Sequence, residues 1–244
     1  MDQTFDIGAV FSRAGRMLSQ NAAPFAVLSL TLGLGSALLS RYTTLTLVTD
    51  AAGGIQLYGA FSAGLVGGLV MSIYMAFVIS IAFQAETGTE VSVERALKRG
   101  LAAAVPLTVH FILFSLGITV GLVLLFIPGL ILMCMWAVTL PALVGENAGI
   151  IGSFGRSRAL TKGARWKIFG LFIVFIIISS VATAVLSLTG DLADPDPSLL
   201  TILLTSLSTV VTYLLYALFE TAMFFELRES KEGRSQDQLR EVFA

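Results

Sequence analysis

Six long apolar stretches, separated by short polar segments, dominate the hydrophobic pattern of the chain. A helix that crosses a bilayer needs about 20 mostly apolar residues. By this measure the pattern predicts spans at about 22–40, 60–83, 106–126, 129–145, 168–188 and 198–219. The runs are continuous and do not alternate, which favours helices over a barrel. We therefore expect an all-α fold, a polytopic membrane protein in which residues 1–244 form one integral membrane domain.

Two boundaries of this pattern leave alternatives open. Ile127-Pro128-Gly129 predicts a tight turn between the third and fourth spans, and the alternative is a pair of re-entrant half-helices. The first span could also be read as a signal peptide, with cleavage after Ala37 conceivable. Its apolar region and the segment before it are both longer than such a peptide needs.

Three basic segments have the spacing of amphipathic helices that lie in the membrane interface, at about 4–20, 91–104 and 148–163. Ser92 is a plausible N-cap of the second. Each segment contains an Arg-Ala pair, beginning at Arg13, Arg95 and Arg158, and leads into a span. This suggests a threefold internal repeat of one interfacial helix and a transmembrane hairpin. The alternative is that any loop entering a membrane carries arginine near its end.

Basic residues indicate the topology. Fourteen of the fifteen fall in the N-terminus, the 2–3 and 4–5 loops and a tail at 227–244, and Arg41 alone lies on the other side. The positive-inside rule makes the basic face cytoplasmic, with both termini there. The opposite loops carry the acidic residues Asp50, Asp191, Asp194 and Asp196.

The amino-acid composition excludes several classes of protein and site. The chain is 56% hydrophobic and 13% charged, which excludes an ordinary soluble domain. One cysteine, Cys134, excludes an internal disulfide, and with a single histidine it excludes a Cys/His zinc site. A net charge of −1 argues against a nucleic-acid partner. We expect no metal and no cofactor.

Small and hydroxylated residues form stripes within the spans. In the second span they recur at every fourth position: Ala60, Gly64, Gly68, Ser72, Ala76 and Ser80. Such stripes let helices approach closely, either within one chain or in a homodimer. The sixth span carries hydroxyl groups from Thr201 to Tyr216 that lead towards Glu220. These either bond to neighbouring helices or line a polar pathway.

Few ionisable side chains could carry chemistry. Glu146 and Glu220 end the fourth and sixth spans, and His110 lies about four residues into the third. They are either structural partners of the basic residues or parts of a site. Sequence signatures of nucleotide-binding loops or a catalytic triad are absent. An enzyme would require His110 to meet Glu146 or Glu220 in one pocket.

Basic residues near the predicted depth of the lipid headgroups say more about function than Glu146, Glu220 and His110 do. They could bind anionic lipid headgroups, at about 1 kcal/mol for each residue near the surface. Trp166 lies where an interfacial aromatic anchor would. The residues expected to bind headgroups are Arg95, Lys98, Arg99, Arg156, Arg158, Lys162, Arg165 and Lys167.

Residues Ile127–Gly170 resemble the YciC-like bacterial inner-membrane proteins, and also the membrane domain that precedes some glycerophosphodiester phosphodiesterases. The positions that carry the resemblance are Pro128, Gly129, Trp136, Pro141, Glu146, Ser157, Leu160, Lys162, Gly163 and Trp166. The resemblance implies a six-helix bacterial inner-membrane protein without an assigned reaction. It implies no catalytic residue, since the phosphodiesterase is a separate soluble barrel.

These observations lead to one main expectation and one alternative. The main expectation is a non-enzymatic inner-membrane protein that interacts with anionic phospholipids and organises the membrane or serves a partner. That partner would be a second copy or another membrane protein. The alternative is a transporter or flippase of a lipid-like amphiphile, which a polar cavity at mid-depth would favour.

Overall fold

A computed structural model describes residues 5–35, 37–39, 56–124, 126–187 and 198–233. This part of the chain is helical and contains no strand. Several predicted features lie outside the described residues. They are the tail beyond Gly233, the loop at 188–197 with its three aspartates, and Arg41 and Asp50.

Ten α-helices make up most of the described residues, and the described residues within 34–39 are helical as well. In chain order they are α1 (Ile7–Gln20), α2 (Ala22–Leu28), α3 (Gln56–Glu86), α4 (Val93–Ala102), α5 (Ala104–Leu124), α6 (Phe126–Met135), α7 (Thr139–Gly145), α8 (Ile150–Thr161), α9 (Arg165–Ser187) and α10 (Leu199–Arg228). A π-helical turn, Ser29–Gly33, extends α2, and another, Glu229–Gly233, extends α10.

Five helical segments in the described part of the chain are long and apolar enough to cross a membrane. They are Ala22–Leu39, Leu65–Glu86, Ala104–Leu124, Phe126–Gly145 and Leu200–Gly233. A sixth segment is obtained only if Ile150–Thr161 and Arg165–Val181 are counted together, and these two helices meet at a bend of 103°. The predicted fifth span, 168–188, thus coincides with α9, which follows this bend.

Pro128 and Gly129 do not form the turn that the sequence predicted between the third and fourth spans. Both residues lie in the first turn of α6, where proline is tolerated because the early N–H groups of a helix have no intrahelical partner. Gly129 serves close packing: a Cβ there would lie 2.7 Å from the backbone nitrogen of Leu122 on α5, and one at Gly121 would lie 3.0 Å from the Cα of Gly129. α5 and α6 therefore meet backbone to backbone.

The fourth predicted span is interrupted. α6 ends at Met135 and α7 begins at Thr139. Ser157 of α8 fills the break: its hydroxyl donates to the carbonyl of Met135 (2.9 Å) and accepts from the N–H of Val138 (3.2 Å). Thr161 donates to the same Met135 carbonyl at 3.2 Å. These bonds satisfy backbone groups that would otherwise be buried without partners.

The three basic segments form helices α1, α4 and α8, close to the predicted bounds. Ser92 caps α4 by accepting from the N–H of Arg95 at 3.3 Å. α1 buries Val10 and Met17 in contact with the helical core. Its apolar face therefore packs in part on protein, although a headgroup-plane helix was expected to place that face in lipid.

Gly68 of the predicted small-residue stripe, and Gly117 of the third predicted span, each contact a large side chain of the same chain. A Cβ at Gly68 would lie 2.5 Å from Phe111, and one at Gly117 would lie 2.4 Å from Trp136. Each ring thus occupies the space that a side chain would need. In the described residues these glycines serve packing within the chain, the first of the two alternatives.

Candidate functional site

Ion pairs join several helix ends at one end of the bundle. Arg156 on α8 donates to Glu146, which follows α7, through Nε (2.7 Å) and Nη2 (2.9 Å). Its Nη2 also lies 2.6 Å from Glu232. Arg228 adds contacts to Glu232 (3.0 Å) and Glu146 (3.8 Å). We call these four residues the ion network, and it ties α8 to the ends of α7 and α10.

A second set of charges ties α1 to the same end. Arg13 donates to Glu229 at 2.7 Å and lies 3.8 Å from Glu86, the last residue of α3. Burial lowers the pKa of Arg13, but the bond to Glu229 and the charges of Glu229, Glu86 and Glu226 outweigh burial and raise it above its ordinary value. The guanidinium therefore remains charged. The N-terminal helix, the end of α3 and the end of α10 thus meet at this end of the bundle.

Of the eight predicted headgroup-binding residues, four form hydrogen bonds or ion pairs with other residues of the chain, and a fifth is half-buried. Arg156 belongs to the ion network, and Lys98 pairs with Glu94 at 2.6 Å. Arg95 donates to the carbonyl of Glu90 at 3.0 Å, and Lys167 to the carbonyl of Phe5 at 2.7 Å. Arg165 is half-buried, and its Nε has no partner among the described residues.

The other three predicted residues, Arg99, Arg158 and Lys162, have exposed side chains without a partner in the described part of the chain. Arg158 and Lys162 are close in sequence to Gly163, whose φ of 87° forms the turn between α8 and α9. A Cβ at Gly163 would lie 3.9 Å from the Nζ of Lys231. We call Arg158, Lys162 and Lys231 the basic patch.

An exposed tryptophan accompanies the basic patch. Trp166 follows Gly163 by three residues and is 86% exposed. A large apolar ring exposed beside cations is typical of the boundary between headgroups and acyl chains. The patch therefore has the composition of a surface that contacts anionic headgroups.

A cavity of about 160 Å³ lies inside the helical bundle. Its polar lining, from four helices, consists of Ser72, His110, Thr139, Tyr213, Tyr216 and Glu220. We call it the polar cavity. It joins His110 and Glu220, as the enzyme hypothesis required, but Glu146 lies in the ion network and does not line it. No group of three His, Cys, Asp or Glu side chains in the described residues could hold a metal ion.

The two ionisable side chains of the polar cavity are poorly satisfied. His110 is 5% exposed and stacks on Phe154, with ring centroids 5.0 Å apart. Its Nε2 is buried without a hydrogen-bond partner in the described residues. Glu220 is 6% exposed and accepts from the backbone N–H of Leu140. Among the described residues it has no Lys or Arg partner.

A larger groove of about 690 Å³ lies between α9 and α10. Phe175, Ile176 and Ser180 of α9 form one wall, and Thr212, Tyr213 and Tyr216 of α10 form the other. We call it the side groove. Tyr213 and Tyr216 line both spaces, so the side groove and the polar cavity adjoin at these two residues.

The hydroxyl stripe of the sixth predicted span divides into two parts. Thr205 and Thr209 each bond to the carbonyl four residues earlier, at 2.8 Å, which is the structural interpretation of such residues. The phenols of Tyr213 and Tyr216 have no hydrogen-bond partner in the described part of the chain. Tyr213 and Tyr216 line the side groove and the polar cavity, and Thr212 lines the side groove, whereas Thr205 and Thr209 are not among the described residues that line either space.

Sequence reasoning did not identify Thr139 or the N–H of Leu140 as parts of a site. Both become available because the fourth span breaks before Thr139, which frees the first N–H groups of α7. Pro141 was the available signal, since proline in an apolar helix removes a backbone donor and favours the first turn of a new helix.

Comparisons with known proteins place the chain in a family. No curated protein and no solved structure matches it. A family model described as "Domain of unknown function (DUF7847)" matches residues 60–227 of the 244. The matched region runs from α3 into α10 and includes the polar cavity, the side groove and Arg156 of the ion network. With more than half of its length matched, the chain belongs to the DUF7847 family.

Proposed function

We propose that this protein is a non-enzymatic, multi-pass membrane protein that binds anionic lipid headgroups at its basic patch. The single observation that carries the proposal is the set of exposed cations without internal partners that lies close to Trp166 in sequence, while most other basic residues in the described part of the chain pair internally. Cations held free of internal partners at the end of apolar helices suit phosphate groups of a lipid surface.

The proposed arrangement has six spans, with α9 as the fifth, in a bacterial inner membrane. Helices α1, α4 and α8 brace its cytoplasmic face, each as part of a threefold repeat. The bend of 103° between α8 and α9 supports this arrangement. If α9 crosses the bilayer, α8 lies nearly in the membrane plane, as an interfacial helix does.

The topology can be tested with reporter fusions in cells. A reporter fused after Gly152, in α8, is expected to give a cytoplasmic signal, because the basic segments share that side. A reporter after Ala193, outside the described residues, is expected to give a periplasmic signal. Reversed signals would overturn the orientation.

The lipid-binding proposal predicts the effect of neutralising the patch. The double variant R158Q/K162Q is expected to bind phosphatidylglycerol about thirtyfold more weakly, since two residues contribute about 1 kcal/mol each. Binding of phosphatidylglycerol and of phosphatidylcholine to the delipidated protein would be compared in an uncharged detergent. Binding of phosphatidylcholine should not change.

Lys98→Gln is the matched control. Lys98 is exposed, as Arg158 and Lys162 are, but it already pairs with Glu94 four residues earlier. Its loss should weaken phosphatidylglycerol binding far less than the double variant does. Equal binding by wild type and R158Q/K162Q would contradict the proposal and leave these residues as topology signals.

A second candidate function is movement of a lipid-like amphiphile through the bundle. The observation that favours it is the side groove next to the polar cavity, which could receive the tail and the head of one molecule. No Lys or Arg lines either space, so the described residues offer no cation for an anionic head there.

A further inference from the structure

The polar cavity has no role in binding headgroups at the basic patch. It nevertheless places a carboxyl group and an imidazole in an apolar interior. Burying a polar group without a partner costs free energy. In the described residues Glu220 has no cationic partner and His110 Nε2 has no hydrogen-bond partner. Both groups could therefore bind a ligand in the cavity.

The chemistry of the lining selects a cationic ligand. Among the described residues that line it, Glu220 is the only acidic one and none is Lys or Arg. The remaining walls are largely aromatic: Phe111, Phe114, Tyr213 and Tyr216. An ammonium group is attracted both by a carboxylate and by the faces of aromatic rings, whereas a phosphate or carboxylate head would find no cation among the described residues of this lining.

We propose that the polar cavity binds the ammonium head of a lipid-like amine, whose apolar tail lies in the side groove. The ammonium donates to Glu220 and contacts the aromatic faces. Tyr213 and Tyr216, which line both spaces, lie where head and tail join.

The volumes suit such a molecule. A cavity of about 150 Å³ in another protein holds benzene, which has six heavy atoms. The polar cavity, at about 160 Å³, therefore has room for a small alkylammonium head. The side groove, at about 690 Å³, is several times larger and is lined mainly by apolar surface from α9 and α10. A long hydrocarbon tail fits there.

Trp136 provides a reporter for this site. Its ring lies 6.1 Å from that of Phe114, which lines the polar cavity, and 4.9 Å from Phe154, on which His110 stacks. The chain has two tryptophans, and the other, Trp166, is exposed. In a W166F background, fluorescence therefore reports on Trp136 alone.

The test titrates dodecylamine, which is protonated at neutral pH, into the purified W166F protein in an uncharged detergent. Dodecanol and dodecanoate serve as matched ligands of equal tail length. We expect a saturable change in Trp136 fluorescence with dodecylamine and at least tenfold weaker binding of the other two. Equal binding of dodecylamine and dodecanol would overturn the proposal, because the tail alone would then account for it.

Glu220→Gln removes the carboxylate and keeps the shape of the side chain. It is expected to weaken dodecylamine binding about tenfold or more and to leave dodecanol binding unchanged. Glu94→Gln on α4, an exposed carboxylate outside the polar cavity, is the control and should bind as wild type does. Unchanged dodecylamine binding in E220Q would also overturn the proposal.

Ser72→Leu keeps the test decisive if E220Q fails to fold. Ser72 lines the polar cavity from α3, and leucine there would occupy part of its volume without changing its charge. The variant should lose dodecylamine binding, and retained binding would place the ligand elsewhere. The changes at Glu220, Glu94 and Ser72 lie outside the basic patch, and the W166F background is common to every protein compared, so the result is independent of the phosphatidylglycerol test.

Discussion

Replacing Arg156 by glutamine is expected to lower the free energy of unfolding by about 2 kcal/mol, which corresponds to a decrease of roughly 4–8 °C in the unfolding temperature. The loss follows from its three charge-assisted bonds, two to Glu146 and one to Glu232. The side chain is 28% exposed, so water replaces part of what is lost. Thermal unfolding of the purified protein in detergent measures the change.

Arg158→Gln is the matched control for this prediction. Arg158 lies two residues further along the same helix, is exposed and has no side-chain partner in the described residues. Its variant should unfold within about 1 °C of wild type, since surface changes away from specific contacts have small effects. Equal unfolding temperatures for R156Q and R158Q would show that the ion network does not hold α8 in place.

Replacing Ser157 by alanine is the second prediction with a large expected effect. The hydroxyl is fully buried and serves both sides of the break in the fourth predicted span, at Met135 and Val138. Its removal leaves the N–H of Val138 without this acceptor, at a cost of about 1–3 kcal/mol. We expect a lower unfolding temperature and faster hydrogen exchange at the Val138 amide.

Ser153→Ala is the matched control for this second prediction. Ser153 is also fully buried on α8, but its hydroxyl bonds to the carbonyl of Ile150 in its own helix. It should change stability less and leave exchange at Val138 unaltered. Unchanged exchange at Val138 in S157A would mean that the break is stabilised by other contacts.

The sequence predicted the helices well because their signals are local. Apolar length alone places the starts of α2 and α5 near their observed positions. The cap at Ser92 depends only on a hydroxyl next to the first turn of a helix, and it was confirmed. Such features need no knowledge of the residues packed around them.

Pro141 is a local signal for the break in the fourth predicted span, but the position of the break and the bonds that satisfy it depend on residues distant in sequence. Trp136-Ala137-Val138 contains no glycine or proline, and the bonds that satisfy the break come from Ser157 and Thr161, about 20 residues later. The partners of Arg156 were equally hidden, since Glu232 lies 76 residues away. Pairing of this kind depends on tertiary packing, which hydrophobic length does not encode.

The polar cavity was only partly foreseen for the same reason. The hydroxyl stripe and Glu220 were visible at helical spacing, and His110 was noted as the one histidine. Their approach depends on how α3, α5, α7 and α10 come together, since all four helices line the cavity. A single sequence contains no signal for which helices become neighbours, so the enzyme hypothesis could list these residues without placing them together.

Native mass spectrometry of the gently purified protein tests the central claim most directly. We expect wild type to carry an anionic phospholipid that R158Q/K162Q loses and that E220Q retains, since the basic patch and the polar cavity are separate surfaces. A wild-type protein without bound anionic lipid, or an adduct unchanged in R158Q/K162Q, would contradict the account.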